Sequence, residues 1–193
     1  MGEAAGHLRG AGSDEELAEA VAQAAAGDEP AFLRMYREVH PMLVTYLQAL
    51  VGAGAEHVTS HAWHDVVHNL HRFRGDGEAF RGWIAEIARR RALEHLPSGG
   101  GIPHGAIGDE VATGTVDQEI RKAEGPISTA QALVLIAQLP QEEAEAVLLR
   151  VVFRLGTETA AQVLGLRPGA VRTSARRGLE RLSERLDGRE TNR

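Results

Sequence analysis

Thr157 to Leu182 reads TETAAQVLGLRPGAVRTSARRGLERL, and the order of its breakers and apolar residues decides how the chain is read. A short helix is expected from about Thr159. Gly165 ends it, and Pro168 stands at the first turn of a second helix, where no backbone donor is needed. At 100° per residue, Val171, Ala175, Leu179 and Leu182 fall within about 80° on one side of that second helix, while Thr173, Arg176, Arg177 and Glu180 point away. Arg172 and Arg181 flank the stripe. The apolar side is expected to pack on the preceding helix. The other side offers guanidinium forks to phosphates and guanine edges, the arrangement of a DNA-reading helix-turn-helix. A plain amphipathic helix with solvated arginines shows the same stripe, so the rest of the chain has to decide.

The formal charge of -6 looks wrong for a DNA binder until it is divided by segment. Residues 1–30 hold one basic and seven acidic side chains, which accounts for the whole of it. Between Pro168 and Leu182 four arginines stand against one glutamate, so the net charge does not veto nucleic acid. The 193 residues, 43% of them apolar, suffice for a core or for two small domains. With no cysteine, disulfides, thiolate zinc sites and cysteine nucleophiles are excluded. No apolar run approaches the roughly 20 residues of a membrane span, and the start MGEAAGHLRG lacks the basic and apolar regions of a signal peptide. A soluble cytoplasmic protein without membrane insertion is the expectation.

Upstream, Ser13 and Glu16 make a capping-box signature before an alanine-rich helix that Gly27 closes. From Pro30 to Val51, Phe32, Met35, Tyr36, Val39, Leu43, Tyr46, Leu47 and Leu50 recur at helical spacing, with Pro41 expected to kink or break the helix. A third helix is expected from about His57 to Phe73 and a fourth from about Glu78 to Leu96, joined by FRGDGEAFR. Residues 97–126 carry seven glycines and three prolines and read as a flexible linker, with a helical turn near Asp117 to Ala123. Fully extended, such a segment spans about 100 Å. Helices at about Ser128 to Gln138 and Pro140 to Arg154 then lead into the helix-turn-helix. The expected fold is all-α.

These blocks, in this order, resemble the extracytoplasmic-function sigma factors, the smallest members of the sigma-70 family of bacterial RNA polymerase subunits. DEELAEAVAQAAAGDEPAFLRMYREVHPMLVTYLQALVG and AWHDVVHNLHRFRGDGEAFRGWIAEIARRRALEHL are similar to sigma region 2, and LIAQLPQEEAEAVLLRVVFRLGTETAAQVLGLRPGAVRTSARRGLERLSERL to region 4. The resemblance implies a disordered start at 1–12, a region 2-like domain at 13–96, the linker at 97–126, a region 4-like domain at 127–186 and a disordered tail at 187–193. It also implies a protein without catalysis or cofactor of its own, which binds core RNA polymerase and promoter DNA and answers to an anti-sigma factor. Region 4 would read the upstream (minus-35) element through Arg167, Arg172, Thr173, Arg176 and Arg177. Region 2 would capture and help melt the downstream (minus-10) element through the loop from Phe73 to Phe80, with Arg74 on a phosphate and Arg89 and Arg90 within reach of DNA. Phe80 and Trp83 share a stripe with Ile84, Ile87 and Ala88, so core packing is preferred for them over base stacking.

The third helix carries His57, His61, His64, His68 and His71, spaced 4, 3, 4 and 3, on the side opposite Ala62, Trp63, Val66, Val67, Leu70 and Phe73. They are therefore expected on the surface. In the family this helix contributes to the face that docks on polymerase, which makes His57, His61, His64 and His68 candidate polymerase contacts. A solvated or partner-facing polar face is the simplest account, and no metal is assigned. A metal site built on the pairs spaced by four and a pH-responsive docking face remain as alternatives. PSGGG follows His95 and Leu96 where relatives often continue with arginines. A divergent sigma-like regulator without initiation activity is thus the alternative function.

Overall fold

The computed structural model describes residues 3–96 and 128–190, and every regular element among them is a helix. The expected linker turn near Asp117 to Ala123 lies outside the described residues. Helix α1 spans Glu3–Ala25, α2 Glu29–Val51, α3 Ala55–Asn69 and α4 Gly77–His95. After the undescribed segment come α5 (Thr129–Ala137), α6 (Gln141–Val151), α7 (Thr157–Leu164) and α8 (Pro168–Glu190). Two ends differ from the sequence reading. Helix α1 begins at Glu3, within the segment read as 1–12, and passes through Ser13 instead of being capped by it, the Ser13 hydroxyl donating to Glu38 on α2 at 3.3 Å. Satisfied by a neighbouring helix, that hydroxyl is not needed as a cap. At the other end α8 runs on to Glu190, into the segment read as a disordered tail.

Helix α2 forms where Asp28 accepts from the Ala31 amide at 2.7 Å and Pro30 occupies the first turn. Pro41 does not break it. Val39 and Leu43, on either side of the proline, are both fully buried in the same core, so packing outweighs the lost backbone bond. Asp76 caps α4 by accepting from the Ala79 amide at 2.8 Å. In the second half Ser128 and Gln131 form a reciprocal capping box at the start of α5. Helix α6 stops at Val151, short of the expected Arg154, because the chain must turn there to send Phe153 and Leu155 into the core. Arg154 makes that turn at φ 54.

Helices α3 and α4 are stapled by Arg91, whose Nε and second guanidinium nitrogen each donate to an Asp65 carboxylate oxygen at 2.7 Å. Those hydrogen bonds hold the Asp65 carboxyl below its ordinary range, with Arg90 adding to the effect. The halves on either side of the undescribed segment share one core. Tyr46 of α2 meets Phe153 edge to face at 5.4 Å between ring centres, and both are fully buried.

Two consequences can be measured. Gly178 sits against α6, where an added Cβ would stand 2.7 Å from Val147 Cγ2 and 3.2 Å from the Glu143 carbonyl oxygen. Gly178→Leu should therefore lower stability by about 1–3 kcal/mol through overpacking, and an unchanged urea midpoint would contradict this close approach. Asp65 has a folded pKa below its ordinary value of 3.8, so its contribution is complete above that value and is lost as pH falls through the folded pKa. The melting temperature of Asp65→Asn should lie below that of the wild-type chain by a constant margin at neutral and mildly acidic pH, and the gap should shrink below about pH 4. A gap independent of pH would contradict the Arg91 pairing.

Candidate nucleic-acid and polymerase interfaces

Gly165, at φ 66 and ψ 30, is the left-handed residue that lets the chain leave α7 and re-enter a helix three residues later. Val171 and Ala175 of α8 are buried, at 0% and 7% exposure. Leu179, expected to continue the stripe, is instead 48% exposed. Gly178 takes the inward seat because, without a Cβ, it lets α8 lie directly on α6. Arg181 then reaches across to α6, its Nε 3.0 Å from Glu143 Oε2.

On the outer side Arg167, Arg172, Thr173, Arg176 and Arg177 are all exposed. Thr173 donates its hydroxyl to the Gly169 carbonyl at 2.9 Å, and Arg176 pairs with Glu180 at 2.7 Å. Such an exposed i,i+4 pair is worth little and yields readily to phosphate. This face is thus a row of guanidinium groups on a rigid helix, buried on its back and open on its front.

The loop after α3 is built differently. A 3-10 turn, Leu70–Arg72, ends the helix, which puts His71 off the regular histidine spacing. Arg74 donates to the His71 and Phe73 carbonyls at 3.0 and 2.6 Å, so its guanidinium braces its own loop. Phe73 lies 5.3 Å from Phe80 and 5.2 Å from Trp83 between ring centres. Phe80 is fully buried, whereas Trp83 is half-buried and lines a cleft of about 410 Å³ with Glu78, Gly82, Thr159, Gln162 and Val163. The cleft lies between α4 and α7.

Of the two α4 arginines expected near DNA, Arg90 is 55% exposed and stands 3.6 Å from Asp65. Arg89 is turned inward, its Nε donating at 2.6 Å to Glu145 of α6, a side chain only 4% exposed. Sequence reasoning also passed over Arg81 and Glu78. Arg81 is buried and donates to the Phe153 carbonyl at 2.9 Å and to Asp14 at 2.6 Å. Glu78 Oε1 accepts from the Gly156 amide at 2.7 Å and the Thr159 hydroxyl at 2.6 Å. A charge in an apolar register was the signal for Arg81, which shares its side of α4 with Ile84, Ala85 and Ala88.

His57, His61, His64, His68 and His71 are all exposed. His57 and His61 lie 4.4 Å apart between ring centres, His64 and His68 4.2 Å, and His95 of α4 comes within 5.9 Å of His57. Among the described residues no three His, Asp or Glu side chains are arranged to hold a metal ion. His40 is apart from this face: half-buried, it stacks on Tyr36 at 4.5 Å and its Nδ1 accepts from Trp63 Nε1 at 3.1 Å. No described helix is long and apolar enough to cross a membrane.

Comparison with known proteins matches the two halves separately. Residues 35–100 fit the profile of Sigma-70 region 2, and residues 129–182 that of Sigma-70, region 4. The ECF RNA polymerase sigma factor SigD of Mycobacterium tuberculosis is 26% identical over 181 residues, covering 89% of this chain and 84% of SigD. ShbA of Streptomyces griseus, also an ECF RNA polymerase sigma factor, is 28% identical over 176 residues, covering 84% of this chain and 91% of its own. The fold is similar to that of CnrH in its complex with the cytosolic domain of CnrY, with a TM-score of 0.61, 20% identity and coverage of 90% of this chain and 98% of that one. With region 2 and region 4 in order on one helical chain, this protein belongs to the extracytoplasmic-function sigma factors of the sigma-70 family, subunits that bring core RNA polymerase to promoters.

Proposed function

We propose that residues 127–186 read the upstream element through the outer face of α8, with Arg172, Arg176 and Arg177 as the principal contacts and Arg167 and Thr173 beside them. What carries this reading is the two-sidedness of the helix: Val171, Ala175 and Gly178 are buried while those three arginines are exposed. A rigid helix buried on one side and basic on the other fits a major groove, where arginine pairs with guanine and with phosphate. Residues 13–96 take the downstream element at the Phe73 to Phe80 loop, with Arg74, Arg89 and Arg90 supplying positive charge. The exposed His57, His61, His64 and His68 belong to the face that docks on polymerase, where an uncharged polar ring suffices. The chain acts in the cytoplasm without catalysis of its own. An anti-sigma factor is its expected antagonist, as CnrY accompanies CnrH in their complex.

Transcription by core polymerase on genomic fragments, with and without the chain, tests this directly once start sites are mapped. Discrete new starts sharing two spaced elements are expected. If the chain binds polymerase and produces no such starts, the promoter-directing assignment fails. On a promoter so found, alanine at Arg172, Arg176 or Arg177 should cost about 1–3 kcal/mol and relax specificity at one base where the contact is to guanine. Where the contact is to phosphate, affinity should instead fall equally on all sequences and the salt slope should drop by about one. Three variants with unchanged binding would remove α8 as the reading helix.

A further inference from the structure

The histidine face holds one place where an imidazole from another helix joins a pair. His57 and His61 are one turn apart on α3, with ring centres separated by 4.4 Å. His95, the last residue of α4, brings its ring centre within 5.9 Å of His57. All three border one hollow of about 210 Å³, together with Val58, Arg91 and Glu94. Gly54, just before α3, permits the approach, because a Cβ there would run into the His95 ring.

This spacing suits a transition-metal ion. With nitrogen about 2.1 Å from the ion, imidazole rings that share one ion stand roughly 4.5–5.5 Å apart centre to centre. The two separations, 4.4 and 5.9 Å, bracket that range. As placed, no three such groups among the described residues are set to hold an ion, so the rings have to turn. Each of the three is exposed, and turning an exposed ring between staggered rotamers costs little.

The charge around the hollow is balanced. Arg91 faces it, but its guanidinium is bonded to both Asp65 oxygens and, at 2.9 Å, to Glu94, so it opposes a dication far less than a free cation would. With Glu94 held there, the fourth position of a tetrahedral ion falls to water. Three imidazoles with no thiolate select zinc, nickel or copper over magnesium and calcium, which want oxygen. The pair His64 and His68, 4.2 Å apart, lacks this setting: no ring contact among the described residues brings a third imidazole to it.

We propose that His57, His61 and His95 form a binding site for a divalent transition-metal ion that ties the start of α3 to the end of α4. Binding of the ion by the isolated chain does not depend on whether this face docks on polymerase.

Calorimetric titration of the untagged, chelator-treated chain with zinc chloride at neutral pH tests this. One tight ion per chain is expected, and alanine at His57, His61 or His95 should each weaken it at least about tenfold, because three nitrogens share the ion. His64→Ala/His68→Ala should stay within about twofold of the wild-type chain. Zinc should also raise the wild-type melting temperature, since it binds an arrangement present only in the folded chain, and His95→Ala should lose that shift while melting with the wild type in chelator. Magnesium should give neither heat nor shift. Absence of saturable zinc binding, unchanged affinity in His95→Ala, loss confined to the His64 and His68 variant, or an equal response to magnesium overturns the site.

Discussion

Arg81 is a guanidinium with almost no access to water, and a buried charge must be paired where it lies. Its partners are the Phe153 carbonyl, 72 residues away in sequence, and Asp14, 67 residues away. Three segments are thereby held at one point: α1, α4 and the turn between α6 and α7. That turn needs such help, since Arg154 next to it takes a left-handed backbone that a side chain does not favour. The bonds from Arg81 and the ring contact between Phe153 and Tyr46 thus place the start of α7. Glu78 then caps it from α4, one turn of which carries both charged groups.

This arrangement divides the surface of the sigma factor. The outer face of α8, proposed to read the upstream element, is local, made by one helix lying on another across a glycine. The α4 face proposed for the downstream element is shared, because Glu78, Gly82 and Trp83 line a cleft with α7 and Arg89 pairs with Glu145 of α6. The histidine face is on the far side of the α3 apolar stripe and is untouched by these contacts. One chain therefore presents one surface openly and holds another against itself.

The helices and the exposed histidines were legible because they depend on spacing along one segment, as Val171 with Ala175 and His57 with His61 illustrate. Leu179 was misread because an angular stripe treats glycine as neutral, whereas the missing Cβ of Gly178 decides which side can approach α6. Ser13 looked like a cap because a cap is the local use of a serine, and its actual partner is on another helix. Glu143 and Glu145 of QEEAEAV are buried, and only arginines reaching across from α4 and α8 explain it. The candidate site divides likewise. The α8 arginines follow from one helix, while the inward turn of Arg89 and the capping by Glu78 are pairings across the chain that no local pattern encodes.

The central claim is that the two halves, free of polymerase and DNA, rest together on Arg81, Arg89 and Glu78. Small-angle scattering of the isolated chain reads this without mutation or label. The account predicts a compact particle with a radius of gyration near the value of about 16 Å expected for one folded unit of this length. A radius above about 25 Å, well on the way to the roughly 47 Å of an unfolded chain, would mean that the halves stand apart and would contradict it.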